Sequence, residues 1–324
     1  MSLATDFIIV LASAAAIIFS AEFAIRSSVA IAKKFRLSDE LIGMTILSIG
    51  TSIPEIVTHI IGSYQIVKDN SMMNQISGLV IGANIGSDIF QQNFIIGLIG
   101  IIGIVVVRKK DLIKDMGSLI AAAALLLIFC IGGFITRTEG AILIILYIIY
   151  LYILKKYGMA EGEEIELGRK KNHAVKNIVI ILSSFMIMMI AGDWMLKSSE
   201  SLIDALPISA SFFGIIMLGV VSAFPELTTS LIAISKNKAR ISAGILIGSN
   251  ITNPMLALGL GALISGYTVP NVIIWYDLPV KIITGILLFM MLIKGKLKKW
   301  QAVCLVMMYI AYLFFRNMYF PADF

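Results

Sequence analysis

The chain has 324 residues, of which 59% are hydrophobic and 14% are charged, with a formal net charge of +6. A soluble globular domain carries roughly 45–50% apolar and about 25% charged residues, so this composition excludes an ordinary water-soluble domain and favours a bilayer protein. The excess of positive charge does not indicate nucleic-acid binding, because the basic residues fall in short segments between apolar runs.

Taken in chain order, ten apolar runs of about 20 residues are each long enough to cross a hydrocarbon core of roughly 30 Å. The predicted helices span 5–32, 39–65, 76–106, 113–136, 139–154, 174–203, 210–235, 240–266, 271–293 and 299–317. We expect the first to be retained rather than cleaved, because no basic segment precedes it and no small-residue cleavage site is evident.

A charged segment at 155–173 separates a first five-helix half, 1–154, from a second, 174–324. The predicted fold is therefore an all-α, multi-pass protein of the cell membrane. Its expected partners are the lipid bilayer and small inorganic cations. The sequence indicates neither a nucleic acid nor a required protein partner.

The charge of the loops predicts the orientation of the chain. Most Lys and Arg residues lie in the loops after the first, third, fifth, seventh and ninth predicted helices. The opposite face has few basic residues, which are Lys68, Arg137, Lys197, Lys281 and Arg316. Because basic loops stay on the cytoplasmic side, both termini are predicted to lie outside.

The two halves repeat one another. A shift of 171 positions aligns Glu55 with Glu226, and a shift of 162 aligns Ser87 with Ser249. Each half has an odd number of predicted helices, so the second half crosses the membrane in the opposite direction. Inverted repeats with a site at their interface are typical of secondary transporters.

Two segments place a proline and then a carboxylate inside an apolar helix. They are 50–55 (Gly-Thr-Ser-Ile-Pro-Glu) and 221–226 (Val-Ser-Ala-Phe-Pro-Glu). Proline breaks the helix, and the carbonyls that it frees at membrane depth need a polar partner. A bound cation meets that need. Hard oxygen ligands of the kind that Ca²⁺ and Na⁺ prefer are available here from Ser48, Thr51, Ser52, Gly219 and Ser222.

The carboxylates themselves are the strongest signal. A charge at the bilayer centre costs at least about 2.5–3.5 kcal/mol, so it is rarely present without a use. Glu55 and Glu226 occupy equivalent repeat positions, and no Lys or Arg lies near either glutamate in its own helix. They therefore predict a cation site rather than an internal ion pair.

The third and eighth predicted helices carry a second polar signal. Ser87 and Gln91 are four residues apart, as are Ser249 and Asn253, so each pair shares a helix face. These faces predict neutral oxygen ligands for the same site. Glycines four apart in both helices allow close helix approach.

Two polar residues have open roles. Asp88 follows the shared serine of the third helix, and it either adds a negative charge to the site or points elsewhere. His59 lies one turn after Glu55 and is either a proton partner or a hydrogen-bonded histidine between helices. We favour the second interpretation for His59.

Both proline-glutamate segments are followed by a helix with the pattern Gly-Ser-x-Ile-x-(Asn/Gln). In this order of motifs the chain resembles the calcium/cation antiporter superfamily, and in particular its sodium/calcium exchanger branch, over the whole ten-helix plan. The resemblance implies Ca²⁺ bound by Glu55 and Glu226, with Na⁺ at flanking sites. The hydroxyl groups implied at those flanking sites belong to Thr51, Ser52, Ser222, Ser87 and Ser249.

Two positions depart from the family pattern. Sodium-coupled members usually carry an aspartate where this chain has either Gln91 or Asn253, and a second hydroxyl where it has Ala223. Fewer anionic oxygens weaken a site for several sodium ions, so proton coupling stays open. The Gly-Asn-x-x-Glu motif typical of proton-coupled members does not occur in the chain.

The sequence thus predicts an antiporter that exchanges Ca²⁺ for Na⁺ by alternating access, with exchange of H⁺ for a divalent cation as the alternative. No enzyme activity or cofactor is expected besides the transported ions. An intramembrane hydrolase is disfavoured, because the chain has no His-Glu-x-x-His segment. A channel is disfavoured, because two carboxylates at a narrow site bind divalent ions too tightly for fast conduction.

Overall fold

The computed structural model describes residues 3–32, 45, 47–102, 105, 109–158, 174–205, 208–235 and 239–323. Its helices are α1 (Leu3–Ala32), α2 (48–68, interrupted at Ser52), α3 (Asn70–Ile102), α4 (Lys109–Cys130), α5 (Arg137–Gly158), α6 (Ala174–Ala205), α7 (Ala210–Ser235), α8 (Ala239–Ser265), α9 (Ile273–Leu292) and α10 (Lys299–Tyr319). Two short strands, β1 (Phe134–Ile135) and β2 (Tyr267–Thr268), pair antiparallel and join the α4–α5 connection to the α8–α9 connection.

The predicted spans agree with these helices to within several residues. Within the described ranges, nine helices are long and apolar enough to cross a membrane. The described part of α2 is not among the nine, and residues 39–44 of its predicted span lie outside the described residues. The count of ten helices and the orientation of the termini stay predictions. The same holds for the division at 155–173, most of which is not described.

Helices α2, α3, α7 and α8 form the buried centre of the protein, and α3 packs closely on α7. Glycines allow this approach: a Cβ atom at Gly219 would lie 2.7 Å from the carbonyl oxygen of Ala83 and 2.7 Å from the amide nitrogen of Ser87. Gly82 and Gly86 of α3 meet the backbone of α7 in the same way. The predicted close packing is confirmed at Gly82 and Gly86.

Complete π-helical turns are described at Phe90–Ile95 in α3, Gly214–Gly219 in α7, Asn253–Ala257 in α8 and Ile273–Asp277 in α9. Such turns are frequent at functional sites. In α3 and α8 the turn comes within four residues after the serine that the repeats share. The turns in α3 and α8 therefore lie next to the shared serines.

Helices α1 and α6 pack along one another at the side of this centre. The predicted pairs four residues apart are present, between Glu22 and Arg26 in α1 and between Asp193 and Lys197 in α6. The buried face of α1 is built largely from small side chains, which include Ser13, Ala14, Ser20, Ala21 and Ala24. Large apolar side chains cover its exposed face, among them Phe7, Phe19 and Phe23.

Two basic residues that the loop-charge argument placed on the surface are buried instead. Lys281 lies inside α9 and forms an ion pair with Asp88. Arg316 lies in the last turn of α10, where its Nε is 3.2 Å from Oδ1 of Asp277. A charge at this depth is tolerated only with a partner, and the partners are far away in sequence. Removing both residues from the loop count leaves the direction of the charge bias unchanged.

Candidate cation-binding site

The two proline-glutamate segments break their helices at equivalent positions. The backbone leaves the helical conformation at Ser52 (φ −80°, ψ 4°) in α2 and at Ala223 (φ −82°, ψ 1°) in α7. A new helix begins directly after each break, so Glu55 and Glu226 both stand in a first helical turn. The positive end of a helix dipole favours a carboxylate at that position.

The two glutamates meet at the centre of the protein. Glu55 is 3% exposed and Glu226 is fully buried, and their carboxylates are close enough for their charges to interact. The hydroxyl of Thr51 lies beside Glu226, and that of Ser222 lies beside Glu55. Each glutamate is thus flanked by a hydroxyl from the opposite repeat. Within the described part of the chain, no Lys or Arg acts on either carboxylate.

Most carboxylate oxygens of this pair are unpartnered. Oε1 of Glu55 accepts a hydrogen bond from the Ser87 hydroxyl at 2.8 Å. Oε2 of Glu55 and both oxygens of Glu226 have no hydrogen-bond partner among the described residues. A buried carboxylate without a counter-charge is very costly, so this arrangement is stable only when cations or protons neutralise it.

The hydroxyl residues before each glutamate form a matching pair of contacts. Thr51 Oγ1 donates to the carbonyl oxygen of Ser48 at 3.3 Å, and Ser222 Oγ donates to that of Gly219 at 3.3 Å. Both hydroxyls keep their oxygen lone pairs for a ligand. The hydroxyl of Ser52 is buried and has no hydrogen-bond partner in the described structure, whereas the equivalent Ala223 supplies none.

Gln91 links the repeats through its side chain. Its Nε2 donates to Ser87 Oγ at 3.0 Å, and its Oε1 accepts from Ser249 Oγ at 2.5 Å. Ser87 in turn donates to Glu55. Gln91 and Ser249, both predicted as ligands, therefore lie at the site, but they are bonded to each other in this structure.

Asp88 has its own counter-ion. Its Oδ2 pairs with Lys281 Nζ, and its Oδ1 accepts from Asn253 Nδ2 at 2.8 Å. Asp88 is therefore paired with a counter-ion, yet it lies close enough to Glu55 and Glu226 for its charge to act on both. Because Nδ2 of Asn253 donates to Asp88, Oδ1 of Asn253 points away from Asp88. That oxygen has no hydrogen-bond partner among the residues described.

His59 is a hydrogen-bonded residue between helices, which is the interpretation that the sequence favoured. Its Nδ1 lies 3.1 Å from the Tyr267 hydroxyl and its Nε2 lies 3.1 Å from Asn84 Nδ2. Sequence reasoning assigned no role to Asn84, although it is a polar residue three positions before Ser87 in an apolar helix. That placement is the signal that could have found it.

A small cavity of about 20 Å³ adjoins Glu55. It lies between α1 and α6 on one side and α2, α3 and α7 on the other, and its wall includes Glu55, Asn84 and Ser222. In α7 its lining residues precede Glu226, and in α2 they extend from Pro54 toward the end of that helix. The cavity therefore approaches the glutamates from the face that holds the turn after α2.

The donor set suits hard cations. Carboxylate, hydroxyl and amide oxygens are the ligands of Ca²⁺ and Na⁺, whereas transition metals favour imidazole and thiolate. In the described residues, no group of three or more His, Cys, Asp and Glu side chains comes together to hold a metal.

Comparison with known proteins adds independent information. A family model described as sodium/calcium exchanger protein matches residues 5–156 and 176–318. An uncharacterized membrane protein of Methanocaldococcus jannaschii is 30% identical over 297 residues, which are 90% of this chain and 91% of that protein. The sodium/calcium exchanger MaX1 of Methanosarcina acetivorans is 25% identical over 349 residues, covering 95% of this chain and 97% of that protein.

A solved structure gives the same result for the fold. The sodium-calcium exchanger NCX_Mj, soaked with Na⁺ and Sr²⁺, matches with a TM-score of 0.67 and 28% sequence identity. The match covers 96% of this chain and 98% of that one.

Proposed function

The chain belongs to the sodium/calcium exchanger protein family, and we propose that it exchanges Ca²⁺ for Na⁺ across the membrane, with the ions bound between Glu55 and Glu226. One observation carries the proposal: three buried carboxylate oxygens of this pair have no hydrogen-bond partner, and no basic residue balances them, within the described chain. A relative and a solved neighbour of the same fold are both named as sodium/calcium exchangers.

Charge balance explains why such a site exchanges ions rather than leaking them. One Ca²⁺ neutralises two carboxylates, and two Na⁺ ions do the same. An unoccupied site leaves two desolvated charges side by side, which is unfavourable by several kcal/mol. The protein therefore changes its accessible face with either kind of ion bound, and seldom with none.

The surrounding residues have supporting roles in this proposal. Thr51 and Ser222 add a hydroxyl oxygen to the glutamate of the opposite repeat, and Ser52 and Asn253 add oxygens that have no hydrogen-bond partner in the described structure. Ser87 holds one oxygen of Glu55 and so orients the other toward the ion. Helices α1 and α6 line the cavity, so their displacement opens or closes access to the glutamates.

Proton coupling is the second candidate. One observation at Gln91 favours it. Sodium-coupled relatives are expected to carry an acidic ligand at this position, whereas the side-chain oxygen of Gln91 accepts a hydrogen bond from Ser249. With fewer anionic oxygens, the site holds fewer Na⁺ ions, and a proton satisfies a lone carboxylate as directly as Na⁺ does. The two candidates share the glutamates and differ only in the counter-ion.

Transport by the purified protein in liposomes tests both. Uptake of ⁴⁵Ca²⁺ is measured with an outward Na⁺ gradient, with a pH gradient, or with neither. We expect uptake in the Na⁺ arm and a loss of at least about tenfold in Glu55→Gln and Glu226→Gln, because each removes a charged ligand. Glu200→Gln is the matched control, since Glu200 is a buried glutamate of α6 outside the site.

The outcomes separate the candidates. Uptake driven only by the pH gradient assigns the exchange to protons. Equal uptake in all three arms contradicts exchange of either kind. Full activity of both glutamine variants would remove the glutamate pair from the mechanism.

A further inference from the structure

The wall of the cavity includes a polar pair from the first repeat that has no counterpart in the second. Asn84 of α3 and His59 of α2 line it together with Glu55. The repeat shifts of 162 and 171 place Leu246 and Ser230 at the equivalent positions of the second half. The polar pair is thus an addition to the site that the shared motif does not explain.

Asn84 presents an oxygen that its surroundings do not use. Its Nδ2 donates one hydrogen to Nε2 of His59 at 3.1 Å and the other to the carbonyl oxygen of Asn253 at 2.9 Å. Asn84 is 1% exposed, and its Oδ1 has no hydrogen-bond partner among described residues. An amide oxygen left in this condition is unfavourable, because it has lost its hydration without gaining a partner.

His59 fixes which way this amide points. Ser63 Oγ donates to the carbonyl oxygen of Gly261 at 2.9 Å, and the Tyr267 hydroxyl donates either to Ser63 Oγ at 2.6 Å or to the carbonyl oxygen of His59 at 3.1 Å. Tyr267 then accepts from Nδ1 of His59, which leaves Nε2 as an acceptor for Asn84. Rotating the amide by half a turn would place its oxygen against the lone pairs of the ring nitrogen and of a carbonyl.

We infer that Oδ1 of Asn84 is a further cation ligand, which forms with Oε2 of Glu55 a subsite on the cavity side of the glutamates. The inference rests on the proposed function and specifies its site. His59 is a positioning residue. Its Nε2 accepts a hydrogen bond from Asn84 and so keeps the amide oxygen of Asn84 toward the cavity. An ion that approaches through this cavity meets an amide oxygen, whereas the equivalent position of the other repeat offers only Leu246.

Equilibrium binding of ⁴⁵Ca²⁺ to the purified full-length protein in detergent tests the inference. Asn84→Leu introduces the side chain that the other repeat carries. We expect its Kd for Ca²⁺ to rise about tenfold to a hundredfold, the range seen when groups around a metal site are removed. Asn93→Leu is the matched control, because Asn93 is a buried asparagine of the same helix that bonds to Thr284 and does not line the cavity, and its Kd should equal that of the wild type.

His59 provides a second test that leaves Asn84 in place. Gln can offer an acceptor oxygen where Nε2 of His59 lies, whereas Leu cannot. We expect His59→Leu to raise the Kd and His59→Gln to keep it near the wild-type value. A merely structural histidine would lower the unfolding temperature in both variants without this difference in affinity.

The results separate the inference from the function on which it rests. If the wild type binds neither Ca²⁺ nor Na⁺, the proposed function fails. If the wild type binds Ca²⁺, and Asn84→Leu and His59→Leu bind it with unchanged Kd, the function stands and the subsite does not exist.

Discussion

The ion pair between Lys281 and Asp88 gives the sharpest test of how the buried charges are arranged. Both side chains are 0% exposed. Replacing Lys281 with Met removes the ammonium group and leaves Asp88 with one hydrogen bond, the one from Asn253 at 2.8 Å. Because the negative charge then has no counter-ion, we expect Lys281→Met to lower the free energy of unfolding by about 3–5 kcal/mol.

The double variant Asp88→Asn/Lys281→Met separates charge from packing. It removes both charges, while the amide oxygen introduced at position 88 still accepts from Asn253. Swaps of similar volume usually cost less than about 1.5 kcal/mol. We therefore expect the double variant to be more stable than Lys281→Met by roughly 2 kcal/mol or more, although it carries one further substitution.

The assay is reversible unfolding in mixed micelles of a mild detergent and dodecyl sulfate, followed by circular dichroism, for the wild type, both single variants and the double variant. The four values form a double-mutant cycle, which isolates the interaction between the two side chains. A coupling energy near zero would show that the pair does not stabilise the fold and would refute the reasoning.

Three further predictions concern other parts of the fold. Gly219→Ala should lower the free energy of unfolding by about 1–3 kcal/mol through overpacking, because the new Cβ would lie 2.7 Å from the carbonyl oxygen of Ala83. An unchanged unfolding temperature would contradict this prediction. Arg316→Met should lower the free energy of unfolding by about 3–5 kcal/mol, because the buried carboxylate of Asp277 loses its counter-ion. Unfolding of this variant at the same detergent ratio as the wild type would contradict the prediction. Hydrogen bonds from Ser71 lower the pKa of Asp69. The ionised carboxylate therefore stabilises the turn fully above the ordinary aspartate pKa of about 4. This stabilisation is lost as the pH falls through the lowered pKa. Amide exchange at Ser71 should therefore quicken on acidification, beyond the intrinsic pH dependence of exchange, in the wild type but not in Asp69→Asn, and equal profiles would exclude the effect.

The helices and the glutamate pair could be predicted because their signals are local. Hydropathy defines a membrane helix without reference to its neighbours, and the spans of α7 and α10 were predicted to within two residues of their observed ends. Glu55 and Glu226 were identifiable because each follows a proline inside an apolar run, and because the motif occurs twice. Repetition supplied the information that a single sequence otherwise lacks.

The partners of the buried polar groups could not be predicted. Asp88 and Lys281 are 193 positions apart, and nothing in either helix indicates that they meet. Gln91 was predicted as an ion ligand from its spacing, yet its side chain reaches across to Ser249 of the other repeat. Asn84 received no role because a lone amide in a helix gives no sign of which groups surround it. Such contacts depend on how helices are placed in space.

The small side chains on the buried face of α1 affect how easily this helix could move in the proposed transport cycle. Ser13, Ala14, Ala21 and Ala24 present a shallow surface that Val10 and Ile17 interrupt. In the proposed exchange, α1 would take two positions beside the core, one for each side of the membrane. Reversing a population from 1:99 to 99:1 takes about 5.5 kcal/mol, a quantity within reach of two carboxylates closing on one ion. If the exchanger works as proposed, this shallow contact would let the bound ion set which side of the bilayer the site faces.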